Sequence, residues 1–177
     1  MSSQQFLDRF YFLYYLIHIP ITVLIDSTLV IPKEFQLELQ KTILSFHISS
    51  NNDFLLAGDV ELWLKIFGLI EILFQLPFFI YYCITFLKKK FSVTVTPNPK
   101  LYVCNLIYGF NASLTTLVCL FYVYFKGPEN GLTNGEVINL IFVYFPTFLI
   151  PAIIFIDFTK RITNLLQMEF LKSKKNE

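Results

Sequence analysis

"LWLKIFGLIEILFQLPFFIYYCITFL", residues 62–87, sets the fold class. The run is continuously apolar and lacks the two-residue alternation of a transmembrane strand. At 1.5 Å per residue, about 20 helical residues cross the ~30 Å hydrocarbon core of a bilayer, and this run is longer. Three more runs share its character, so the expected spans are residues 10–31, 62–87, 101–125 and 137–158. The first is too long for the apolar region of a signal peptide and no small-residue cleavage site follows it, so it reads as a retained span. Composition agrees: 55% of the 177 residues are hydrophobic and only 15% are charged, against about 25% charged in an average soluble domain. The expected fold is an all-α integral membrane four-helix bundle over residues 1–160, followed by a basic tail at 161–177.

Charge adds direction. The net charge is +1, which gives no reason to expect a nucleic-acid partner. Four spans put both termini and the loop between spans two and three on one side. Of the 14 Lys and Arg residues, Lys33, Lys41, Lys65 and Lys126 fall on the opposite side and the rest, Lys90 among them, on the terminal side. The positive-inside rule then expects both termini in the cytosol. The chain ends "KSKKNE", with Lys174 and Lys175 fourth and third from the end, resembling a dilysine signal for retrieval to the endoplasmic reticulum. Cys83, Cys104 and Cys119 all lie in apolar runs without a CxxC, and read as small hydrophobes rather than a disulfide or zinc site. No metal or cofactor is expected.

The first loop on the far side is long, residues 32–61. Within it Phe35, Leu39, Ile43 and Phe46 recur at helical spacing with Glu38, Gln40 and Lys41 between them. That pattern predicts a short amphipathic helix at the mouth of the bundle, broken by "SSNND". Pro20, Pro77, Pro146 and Pro151 lie inside three of the spans, and each withholds a donor from the carbonyl four residues earlier: Leu16, Leu73, Phe142 and Thr147. In hydrocarbon such carbonyls need new partners, so the prolines are expected at kinks facing protein or a cavity. Three kinked helices out of four favour a hollow bundle.

Asp26 and Glu71 lie inside spans, where a carboxylate costs about 2.5–3.5 kcal/mol on insertion scales. Asp26 sits roughly 9 Å, and Glu71 roughly 14 Å, from the far-side ends of their spans, so antiparallel packing places both in the same half of the bilayer. Neither has a Lys or Arg at its depth. Burial and mutual repulsion are expected to keep at least one protonated, which makes the pair a receptor for a cation or a hydroxyl. Gln75 follows Glu71 by one turn on the same face. Asn111 and Thr115 share a face of span three and read as helix glue. Asp157 ends span four and is expected to reach the headgroups. Asp53 reads as a solvated loop acid, and His18 as a helix-packing residue.

"HIPITVLID" (18–26), "EILFQLPFF" (71–79) and "VYFPTFLIP" (143–151) together resemble the sigma-2 receptor family of the EXPERA superfamily. The resemblance implies a four-helix protein of the endoplasmic-reticulum membrane, nuclear envelope included, often a homodimer. It implies binding of sterols and cationic amphiphilic small molecules in a pocket opening toward the membrane, with a role in sterol homeostasis or trafficking. The family's ligand-binding aspartate falls on Asp26, and a second aspartate that hydrogen-bonds the first falls on Asp53. The buried glutamate falls on Glu71, and pocket positions fall on Leu73, Gln75, Val143 and Tyr144. Thr147 stands where the family has a tyrosine, which implies a wider pocket there. The superfamily also contains a sterol Δ8–Δ7 isomerase. Paired carboxyl groups suit that chemistry, but the isomerases also use a histidine on the second helix. Here the histidines are His18, on span one, and His47, in the loop. Binding protein is the leading reading. An isomerase-like enzyme and a partner-regulating membrane protein without its own ligand stay as alternatives.

Overall fold

The computed structural model describes residues 3–89 and 98–175; Lys90 and the last two residues of the basic tail lie outside them. The described residues form six α-helices: α1 (Ser3–Leu24), α2 (Glu38–Asn51), α3 (Leu62–Ile70), α4 (Leu76–Lys88), α5 (Pro99–Lys126) and α6 (Asn134–Lys175). With a 3-10 turn extending α1, and α3 and α4 running on as one rod, four segments are long and apolar enough to cross a membrane: Ser3–Leu29, Leu62–Lys88, Pro99–Lys126 and Asn134–Lys174. The chain is an all-α membrane bundle. Its fourth rod does not stop near residue 158. At 42 residues α6 is about 63 Å long, twice the hydrocarbon thickness, so the basic tail continues the helix.

The tightest pair is α5 with α6. A Cβ on Gly109 would lie 2.6 Å from the Phe155 backbone nitrogen and 2.8 Å from the Pro151 oxygen, so only glycine permits this approach. The same pair settles one proline-freed carbonyl: Thr116 Oγ1 donates to the Thr147 oxygen at 3.3 Å. Before Pro77 the rod widens into a π-helical turn, Glu71–Gln75, closed by Leu76 N–H on the Glu71 oxygen. The other prolines lie within helices assigned as unbroken. Pro20, Pro77 and Pro146 are exposed on the outer surface and only Pro151 is buried, so the expectation that prolines face a cavity is corrected. The ring itself has no donor to satisfy on a lipid-facing surface; the carbonyl it frees is the group that needs a partner.

The loop helix forms where expected, and ends at Asn52 in a left-handed conformation. Its apolar residues divide: Ile43, Leu44 and Ile48 are half-buried, whereas Leu39 and Phe46, like Phe35 just before the helix, face outward. Phe35, Leu39 and Phe46 are 74%, 57% and 70% exposed, whereas Gln40 is buried. The reason lies in α1, whose last carbonyls need donors. Gln40 Nε2 donates to the Val23 oxygen and Ser27 Oγ, both at 2.9 Å. Gln36 Nε2 donates to the oxygens of Thr28 and Ile31. Two glutamines thus cap α1 and hold α2 across the bundle mouth with Leu39 and Phe46 outward.

A roofed acidic cavity

Two cores form. One, at the end carrying both termini, is built from Tyr11, Tyr15, Phe79, Tyr82, Phe86 and Phe158 with their neighbours. The other, beneath α2, is aliphatic: Leu29, Leu55, Leu64, Val123, Val137 and Leu140. Between them lies a cavity of about 210 Å³, far beyond the ~10–15 Å³ that admits one water.

Its acidic wall comes from breaks in two rods. α1 ends at Leu24, and Asp26 opens the 3-10 turn Asp26–Leu29. Gly68 makes room for this turn: a Cβ there would sit 3.0 Å from Leu29 Cδ1 and 3.4 Å from the Asp26 oxygen. Opposite, the π turn carries Glu71 and Gln75 into the same space. The carboxyl groups of Asp26 and Glu71 share a hydrogen bond. Thr22 Oγ1 donates to Glu71 Oε1 at 3.0 Å. Among the described residues neither acid pairs with a Lys or Arg.

The floor is Tyr108, which donates its hydroxyl to Tyr14 Oη at 3.0 Å. Gln75 Nε2 donates to Asn111 Oδ1 at 3.1 Å, fixing the amide beside the cavity. Val143, Tyr144 and Thr147 line the α6 wall. Asp53 is not in the cavity lining; it lies behind two lining residues, His47 and Tyr144. It is fully buried, not solvated as its loop position suggests. Oδ2 accepts from Tyr144 Oη at 2.7 Å and lies 3.0 Å from His47 Nε2, while Oδ1 accepts from Leu55 N–H. The recorded partners of Asp53 do not include Asp26, so the bond implied by resemblance is replaced: Asp26 turns to Glu71, and Asp53 to His47 and Tyr144. Leu73 is 68% exposed and lies outside the cavity lining. The π turn rotates it outward while Glu71 and Gln75 point in.

Sequence reasoning missed several lining residues. His47 and His18 both line the cavity, and His18 also rests on Tyr14 with ring centroids 4.1 Å apart. On α5 the lining is Tyr108, Ala112, Thr115, Thr116 and Cys119, a single helical face readable only as a stripe of small residues. Asp157 was expected among headgroups. It instead accepts from Tyr11 Oη at 3.1 Å and pairs with Arg161 Nη2 at 2.7 Å.

The expanded EBP (EXPERA) superfamily model matches residues 39–158. "Efficient mitochondria targeting-associated protein 19" of Saccharomyces cerevisiae is 40% identical over 150 residues, covering 81% of this chain and 92% of that protein. Human "Sigma intracellular receptor 2" is 33% identical over 156 residues, 81% of this chain and 82% of the human one. The Schizosaccharomyces pombe protein bearing the first name is 26% identical over 161 residues, 91% of this chain and 79% of its own. Two interrupted rods that carry a carboxyl pair into a roofed hollow thus belong to a chain that is a member of the EXPERA superfamily, in its sigma-2 receptor-like branch.

Proposed function

We propose that this chain is a receptor or binding protein of the endoplasmic-reticulum membrane for sterols and cationic amphiphilic ligands. It serves sterol homeostasis or trafficking, has both termini in the cytosol, and carries a retrieval signal at Lys174 and Lys175. The observation that carries the reading is the Asp26–Glu71 pair, which faces a largely apolar cavity with no Lys or Arg among the described residues to neutralise it. An ammonium group entering that space meets a counter-charge, and a sterol hydroxyl meets an acceptor. The name of the human relative supports a receptor.

The test is binding of a radiolabelled cationic amphiphile and of a sterol to wild type, Asp26→Asn, Glu71→Gln and the double variant at matched folded levels. Losing the partly desolvated ion pair is expected to cost about 2–5 kcal/mol of amine affinity in the double variant. Asp26→Asn should account for most of it, and sterol binding should change little, since amides still bond a hydroxyl. Unchanged amine affinity in the double variant refutes the reading.

The hydrogen-bonded carboxyl pair also gives an isomerase-like acid and base a structural footing. Conversion of a Δ8 to a Δ7 sterol in isomerase-deficient cells, lost in Glu71→Gln, would establish that alternative; none is expected. The yeast relatives' name, with its mitochondrial targeting association, suits a partner-regulating role. Mass spectrometry of lipid extracted from the purified protein separates it from the leading reading, because a stoichiometric sterol is expected only if the cavity is a receptor.

A further inference from the structure

A second hollow, about 770 Å³, lies outside the acidic cavity. It runs between α2 and the first two turns of α3. Leu29 and Leu56 line both spaces and so form the partition. The chemistry on the two sides is opposite. Three lysines rim the outer groove: Lys33 before α2, Lys41 on it and Lys65 on α3. Lys41 reaches Glu38 at 2.7 Å on an exposed helix face. Lys33 and Lys65 are exposed and have no acidic partner among the described residues. Asp59 is the acid in the groove's lining, so the rim carries a positive excess. On α3 the wall to either side of Lys65 is apolar. Leu62, Ile66 and Leu69 recur along one face of α3 and are 72%, 47% and 42% exposed. That face opens outward from a membrane-spanning rod, and Leu62 to Leu69 covers about 10 Å of depth.

Lysines set beside and within a lipid-facing apolar wall fit one class of molecule: an anion joined to hydrocarbon. A cationic amphiphile is repelled by the rim, and a neutral sterol leaves the ammonium groups of Lys33 and Lys65 without a counter-charge. A soluble anion uses the lysines but leaves the apolar wall idle. We propose that this groove binds an anionic glycerophospholipid, with its phosphate among Lys33, Lys41 and Lys65 and its acyl chains along Leu62, Ile66 and Leu69. The site is independent of whatever occupies the acidic cavity. Its lipid also packs against the outer side of the Leu29 partition, behind the turn that carries Asp26.

The full chain is reconstituted in nanodiscs of equimolar phosphatidylcholine and phosphatidylglycerol, extracted in mild detergent, and its retained lipids are counted by native mass spectrometry. Wild type should retain phosphatidylglycerol at least about tenfold over phosphatidylcholine at low salt, and each Lys→Gln change should reduce that preference about fivefold. The triple Lys→Arg variant should keep it, which separates loss of charge from loss of fold. Glycerol 3-phosphate should not displace the lipid. Three results would overturn the proposal: equal retention of the two lipids by wild type, an undiminished preference in a folded Lys65→Gln or triple Lys→Gln variant, or full displacement by glycerol 3-phosphate. The last would make the rim a site for soluble phosphate.

Discussion

The two halves of the bundle share the same rods and handle buried acids in opposite ways. At the terminal end Asp8, fully buried, meets Arg161 Nη1 at 2.6 Å, and Arg161 also holds Asp157. The guanidinium lies 4.7 Å from the Phe158 ring centroid, and Tyr82 donates its hydroxyl to the Asp8 backbone oxygen. Aromatic side chains fill the remaining space. In the half beneath α2, Asp26 and Glu71 have only each other, Thr22 and the cavity, and the facing positions are small: Gly68, Ala112, Thr115, Thr116 and Thr147. Large rings and a matched cation close one half, while small side chains and an unmatched acid pair keep the other open. The terminal half is therefore a clamp joining α1 to α6, and the α2 half is a receptacle.

The largest effect should come from breaking the clamp. Arg161→Met leaves two carboxylates without their cation, and removing one partner of a buried ion pair typically costs about 3–5 kcal/mol. Thermal unfolding in detergent should show a large fall in Tm, and a fall no greater than that of an exposed Lys172→Met control would remove the clamp from the argument. Gly109→Ala comes next. Its methyl group would meet the Phe155 and Pro151 backbones, forcing α5 and α6 apart at about 1–3 kcal/mol; unchanged stability would mean the pair has slack. Gln40→Leu should follow at about 1–3 kcal/mol, because Leu37 N–H loses its acceptor, Ser27 Oγ loses a donor, and the Val23 carbonyl keeps only the Ser27 hydroxyl of its two side-chain donors. Its distinguishing readout is local: hydrogen exchange should rise in α2 and the residue 26–29 turn while the terminal half is unaffected. Faster exchange at both ends would deny that the halves are separable.

The sequence made the rods legible because lipid tolerates few alternatives to long apolar helices. Asp26 and Glu71 were legible for the same reason, since a charge at that depth needs a purpose. Asp8 and Arg161 were not. They stand 153 positions apart near the ends of spans, where charge is ordinary, and only the packing of α1 on α6 joins them. The facing of α2 was not legible, because amphipathic spacing specifies two faces but not which one turns inward; the carbonyls at the end of α1 decide that. Asp53 and His47 were hidden by lying in a loop, where a buried acid and an exposed one look alike. Leu73 fell to a single π turn, which shifts every later side chain around the rod by a fraction of a turn.

The smallest stability effect is expected from Asp26→Asn. An asparagine has the same size, and its amide can still donate to Glu71, whose bond from Thr22 is untouched. No cation is stranded, because no Lys or Arg among the described residues pairs with Asp26. The 3-10 turn that presents it is held by Gln36, Gln40 and Ser27 rather than by the carboxyl group. The change should therefore lie within the ~0.5 kcal/mol typical of substitutions away from structural features, although the residue sits inside a membrane span. Thermal unfolding of wild type, Asp26→Asn and Arg161→Met in one detergent makes the comparison direct. Equal losses in the two variants would mean that Asp26 braces the α2 half as Arg161 braces the other. The cavity acids would then be struts rather than a receptor. A Tm for Asp26→Asn at or above wild type, beside a large fall for Arg161→Met, is the pattern expected of an acid retained for its ligand and not for the fold.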